Sequence, residues 1–271
     1  MKFRYPLLAA FALALNSCSS SDEYVPLIQP ELPAEGSSRV RSITHEGSMP
    51  QAYDWTFNYD ANYLTAAEGK LLGDTDGTYK YSSWLYYGPN GVAIVNSNGK
   101  NMTAVMDAKG NIVELAVNNN EYYFEYTGGR LTSWKKVLND ENFGHEESAT
   151  TGKLTYNAAG NLVRIDHVGH DGVTTVVTLT PSTTLNKNGI LPPTLSSQMG
   201  CFGFEHLYYG GMLGKPSTHL VKTIKVDNAK GTANDYQIDC TYSFFPETGD
   251  TKLCNFTYKG EAASIIYKYE N

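Results

Sequence analysis

The chain has 271 residues, with 41% hydrophobic, 18% charged and 12% aromatic residues, and 21 basic against 28 acidic side chains give a net charge of −7. This length buries one sizeable core, and the aromatic content excludes a disordered chain. The acidic balance disfavours nucleic acid as a partner, because phosphate binding needs a basic surface.

Lys2 and Arg4 form a cationic start, and Leu7 to Leu15 then runs without a polar residue. Nine helical residues span about 14 Å, less than half the roughly 30 Å of a bilayer core. Residues 1–17 therefore read as a cleaved signal peptide rather than a transmembrane span. Leu15-Asn16-Ser17-Cys18 resembles a bacterial lipobox, with Cys18 as the lipidated residue. Multiple acyl chains on one residue give stable membrane anchoring. Removing Lys2 and Arg4 leaves 19 basic residues against 28 acidic ones, a mature charge of −9. The following Ser19-Ser20-Ser21-Asp22-Glu23 resembles the acidic signal that sends Bacteroidetes lipoproteins to the outer face of the outer membrane. Surface display is the expected address, with a periplasmic-facing anchor as the alternative.

Residues 18–47 contain Pro26, Pro30 and Pro33 without sustained periodicity and are expected to be a tether. Residues 48–271 read as a single domain of successive hairpins. Trp55-Thr-Phe57-Asn-Tyr59 alternates before a turn at Asp60-Ala-Asn62. Val105 to Leu115 turns at Asp107–Gly110, Tyr123 to Leu131 at Gly128-Gly129, Leu154 to Val163 at Gly160, and Tyr242 to Leu253 at Gly249. Gly supplies positive φ at such turns, and period-2 alternation places one face on a core. Gly88-Pro-Asn90-Gly91 and His170-Asp171-Gly172 fit the same scheme.

These Tyr-x-x-x-Gly-x-Leu hairpins resemble degenerate YD (Rhs-type) repeats, and with the lipobox the chain resembles a family of Bacteroidetes cell-surface lipoproteins of unassigned function. The resemblance implies an antiparallel meander and brings no catalytic residues. The expected fold is mainly β, a meander curled into a barrel-like or shell-like form. One insert, at about 191–220, interrupts the hairpins with Pro192-Pro193, an apolar segment around Leu207, Tyr208 and Met212, and Gly210-Gly211. It reads as a crossover with a short helix, either functional or plugging one end of the core.

Cys240 and Cys254 lie seven residues either side of Glu247 and would be opposed across a hairpin, as a disulfide or as buried free thiols. Cys201 is then odd and expected to be buried. His145-Glu146 lacks the second zincin histidine, since residue 149 is Ala. His167 and His170 would face opposite sides of a strand, and Asp74-Thr-Asp76-Gly77 lacks the flanking calcium ligands. Gly214-Lys215 is followed by Pro where a phosphate loop needs Ser or Thr. No metal or cofactor is expected. Asp54, Asp60, Glu125, Asp166 and Asp239 sit in strand or turn contexts and single out no pair.

Trp55, Trp84, Trp134, Tyr123 and Tyr209 are the candidate ligand-stacking aromatics, because flat apolar faces with polar rims stack on sugars and anchor interfaces. The expected function is a non-catalytic glycan- or peptide-binding module at the outer membrane, with an outer-membrane protein as a possible neighbour. The alternatives are a structural or adhesive scaffold binding another protein, and a hydrolase whose carboxylates gather from distant strands.

Overall fold

The computed structural model describes residues 38–49, 52–61, 63–138, 149–231 and 234–270. The signal peptide, Cys18, the proline-rich stretch and His145 lie outside these residues. Seventeen strands and one short helix occur among the described residues. They are β1 (Val40–Gly47), β2 (Tyr53–Asp60), β3 (Tyr63–Leu71), β4 (Lys80–Gly88), β5 (Gly91–Asn96), β6 (Met102–Met106), β7 (Ile112–Val117), β8 (Asn120–Thr127), β9 (Arg130–Leu138), β10 (Thr150–Tyr156), β11 (Leu162–Val168), β12 (Thr174–Leu185), α1 (Glu205–Tyr209), β13 (His219–Asn228), β14 (Tyr236–Asp239), β15 (Thr241–Phe244), β16 (Thr251–Tyr258) and β17 (Glu261–Tyr269).

Every pairing is antiparallel, and each strand lies beside its neighbours in sequence. β1 then pairs with both β17 and β2, bringing the two ends of the meander together. β14 and β15 are separated by Cys240 alone. The first pairs with β13 and the second with β16, so together they behave as one bent strand. The result is a nearly closed shell. Closure pairs the strand edges that an open sheet of this length would expose.

Residues 40–47, expected in the tether, form β1 and belong to the shell. A register shift between Val40 and Ser42 breaks the period-2 alternation, which hid the strand in the sequence. Gly47 ends β1 at φ 86°, and a Cβ there would lie 2.3 Å from the Ala262 carbonyl oxygen. Neither the left-handed backbone nor the β17 carbonyl accommodates a methyl group. Gly47→Ala is therefore expected to lower stability by roughly 1–3 kcal/mol in urea unfolding. An unchanged midpoint would contradict this close approach.

The shell is apolar inside and polar outside. Phe57, Leu64, Ile94, Ile112, Leu115, Ile165, Val177, Ile224 and Tyr267 point into one continuous core. Glu68, Lys70, Glu114, Lys135, Lys153, Lys225 and Asp239 are exposed on the strands between. A lipid-spanning barrel presents an apolar band outward, so this outer wall is built for water.

The insert departs from the expected crossover. β12 and β13 are adjacent and paired, and residues 186–218 leave their hairpin and return to it. Ile190, Leu191, Leu195, Phe204, Leu207, Met212 and Leu213 are buried, so the insert fills the shell. α1 lies within it.

The turns at Ala61, Gly88–Gly91, Asp107–Gly110, Gly128-Gly129 and Gly160 gather at one end, because each follows an even-numbered strand of an alternating meander. The Gly249 turn joins them because β14 and β15 act as one strand, whereas His170–Gly172 follows β11 at the other end. Asp107 and Asn157 form matching turns. Each side-chain Oδ1 accepts two backbone N–H groups, from Lys109 and Asn111 and from Ala159 and Asn161. Gly110 and Gly160 hold φ of 82° and 76° there. Tyrosines lock the same end. The hydroxyls of Tyr59, Tyr87, Tyr126, Tyr242 and Tyr269 donate to the carbonyls of Val40, Leu64, Ile112, Val221 and Thr251 on earlier strands, at 2.6–3.2 Å. Burial pushes these phenols above their ordinary pKa, so they remain donors.

Candidate functional site

The predicted aromatics separate into two groups. Trp55 and Trp134 are interior, at 2% and 4% exposure. Trp55 Nε1 donates to Glu205 Oε2 at 3.1 Å, and Trp134 Nε1 donates to the Gln198 carbonyl at 2.9 Å. Both tryptophans therefore tie the insert to the wall and are not surface stacking platforms. Tyr209 also faces inward, 5.4 Å from Phe57, and its hydroxyl accepts a hydrogen bond from Leu191 N–H. Trp84 and Tyr123 lie outside, at 44% and 39% exposure. Trp84 pairs with exposed Val95 on β5, and Tyr86, also exposed, follows two residues later on the same face. Tyr123 lies on β8 and donates to Glu121. Alternation selects opposite faces, but only closure of the shell decides which is inside.

The Cys240–Cys254 register differs from expectation. Cys254 opposes Tyr242, placing Cys240 as its diagonal neighbour, because the turn is centred one residue beyond Glu247. Cys201, Cys240 and Cys254 are buried free thiols in this structure. Asp54 accepts hydrogen bonds from the His45 N–H at 2.8 Å and pairs with its Nδ1 at 3.1 Å. Glu125, Asp166 and Asp239 bond to Ser133, Arg164 and Thr223. Among the described residues, no three His, Cys, Asp or Glu side chains form a metal-holding group.

α1 carries two buried titratable groups that sequence reasoning did not single out. Glu205 accepts from Trp55 and from the Gly203 N–H, and burial raises its pKa to about 7. His206 is wholly buried against the Trp55 ring, 4.8 Å away, and burial lowers its pKa to about 3. Neither ring nitrogen has a hydrogen-bond partner.

The strongest candidate site is a cavity of ≈ 470 Å³ at the end of the shell that bears the repeated turns. Val40, Arg130 and Leu185 lie at the ends of β1, β9 and β12 that meet there, and residues 186–189, 208, 209, 211 and 214–218 of the insert complete the wall. Its volume falls within the usual range for small-ligand pockets. Arg39, Arg130, Lys187 and Lys215 line it, while among the described residues no Asp or Glu does. The Arg130 guanidinium donates to the Pro216 carbonyl and to Thr218 Oγ1 at 3.1 Å, and lies over the Tyr156 ring. Lys187 is paired with Asp250 at 3.0 Å, and that carboxyl is held down at a pKa of about 2 despite its burial by bonds from Asn188, Thr248, Ser38 and Lys187. Arg130, Tyr208 and Lys215 were not anticipated as one site. Tyr209, one of the predicted stacking aromatics, also lines this cavity, and the insert at about 191–220 is the segment whose sequence reads as either functional or a plug.

This geometry defines an antiparallel β shell filled by its own insert and opening at one end. Among solved structures, a porin-like protein of Bacteroides uniformis is similar to it, at 16% identity over 85% of this chain and 98% of that one, with a TM-score of 0.65. A porin-like protein of Bacteroides vulgatus is similar at 14% identity over 86% and 99%, with a TM-score of 0.54. These likenesses concern the fold. No protein-family model matches the chain, and no curated protein matches it by sequence.

Proposed function

We propose that this chain is a lipid-anchored outer-membrane protein that displays a non-catalytic binding module for glycan or peptide, with the cavity as its site. The observation that carries this reading is the cavity itself, of ligand size and lined by side chains from strands far apart in the chain. The lipobox at Cys18 and the water-facing outer wall support a domain held beside the membrane rather than inserted in it. A ligand that binds only the folded state raises the melting temperature by mass action. Screening the full chain in detergent against neutral and acidic glycans, mucin glycans and short peptides should give a specific, concentration-dependent rise with one class. No rise with any of them would reject the binding-module reading.

A second reading, a scaffold for a protein partner, is favoured by the exposed Trp84, Tyr86 and Val95 patch. It predicts that Trp84→Ala weakens crosslinking to a neighbour on intact cells while leaving ligand-induced stabilisation unchanged. The anchor has its own test. Cys18→Ala should leave an unprocessed or soluble protein, and unchanged membrane fractionation and mass would refute lipidation.

A further inference from the structure

We infer that the cavity recognises the acidic group of an anionic saccharide, a carboxylate or sulfate, with Arg130 and Tyr208 as its principal donors. This inference rests on the binding-module reading and specifies its ligand class.

Three observations converge. First, Arg130 donates only to the neutral oxygens of Pro216 and Thr218, so its charge has no carboxylate partner among the described residues. A partly buried guanidinium is a strong, planar donor for a carboxylate or sulfate. Lys215 and Arg39 line the same cavity, in a chain whose overall charge is −7. Second, Tyr208 lines the cavity at 8% exposure, and among the described residues none accepts a hydrogen bond from its hydroxyl, which is open to the cavity. A hydroxyl that reaches open space from a largely buried side chain is held in place and is available to an acceptor that arrives with a ligand. Third, Tyr208, Pro216, Val40 and Leu185 add apolar wall beside these donors, the combination that a sugar ring with a polar rim requires.

A saccharide is favoured over a peptide because the shell pairs β1 with both β2 and β17, leaving no open edge at the seam for an added strand. The ligand must instead enter the cavity at the open end of the shell, where compact rings lose less conformational freedom than an extended chain.

The test uses the full-length chain in detergent micelles, titrated calorimetrically with trigalacturonate, the matching neutral galactose trimer, sodium sulfate and triglutamate. The acidic trimer should bind at least about tenfold more tightly than the neutral one, and the difference should shrink as ionic strength rises. Arg130→Gln and Tyr208→Phe should each weaken the acidic trimer about tenfold or more, the effect of one lost hydrogen bond to a charged group. Arg130 also braces Pro216 and Thr218, so Tyr208→Phe carries the decision if Arg130→Gln fails to fold. Tyr208→Phe removes a hydroxyl without a protein partner and should leave the unliganded melting temperature unchanged. Equal binding of neutral and acidic trimers, or unchanged binding by both variants, would overturn the anionic inference and leave the binding module standing. Triglutamate or sulfate binding as tightly as the acidic trimer would overturn the saccharide assignment. Binding of no sugar and no anion would overturn the anionic-saccharide inference, and the binding-module reading falls with it only if the wider thermal screen also shows no rise.

Discussion

Replacing Trp134 with alanine is expected to lower the unfolding free energy by about 3–5 kcal/mol, the range for a buried large aromatic. The indole fills a slot that glycine makes possible on both sides. Gly152 opposes it directly on β10, and a Cβ there would lie 2.1 Å from Nε1. Gly200, on the insert at φ 72°, would place a Cβ 2.5 Å from Cδ2. The same indole donates to Gln198, so it joins wall and insert. Removing it should therefore loosen the segment that shapes the cavity and weaken ligand binding as well as stability. Trp134→Phe should lose less, since a ring still occupies the slot. Urea unfolding checks both variants. A loss below about 1 kcal/mol for Trp134→Ala would mean that the slot collapses around the deletion.

Stability should also depend on pH through two neighbours on α1. Burial raises Glu205 from 4.5 to about 7, so the folded state holds this proton more tightly than the unfolded chain. Its contribution is fully present below pH 4.5 and is lost as pH rises through 7, a difference of roughly 3 kcal/mol. Burial lowers His206 from 6.5 to about 3, so the folded state favours the neutral ring. Its contribution is present above pH 6.5 and is lost as pH falls through 3, by up to roughly 5 kcal/mol. Between pH 4.5 and 6.5 the two slopes oppose each other. Below pH 4.5 only His206 remains, and stability from this pair should fall steeply. Glu205→Gln keeps an acceptor for Trp55 and Gly203, and should flatten the decline toward pH 8. His206→Leu should flatten the acid limb and remove two unpaired ring nitrogens. Urea midpoints across pH 3–8 for the three proteins decide the matter. A Glu205→Gln profile that superimposes on the wild type would refute the assignment.

Local chemistry was legible wherever it acts within a few residues. Asp107 and Asn157 accept hydrogen bonds from N–H groups two and four positions later, so their turns follow from spacing alone. The alternation of Trp55, Phe57 and Tyr59 likewise announced β2, and repeated hairpins announced an antiparallel meander. β1 escaped because its register shift spoils alternation, and the Cys254 register escaped because turn length decides it.

By itself, then, the sequence determined the β class, the turn positions, the expected address and the existence of an insert, because each depends on neighbours along the chain. The tertiary structure decided which face of each strand became interior. Trp55 and Trp134 went inside and Trp84 outside, since only a closed shell distinguishes the faces. It also decided between the two readings of the insert, which fills the core and buries Glu205 and His206 on α1. Arg130 and Tyr208 line one cavity although 78 positions separate them in the chain. That meeting arises from strand order and closure, long-range pairings that no local pattern encodes.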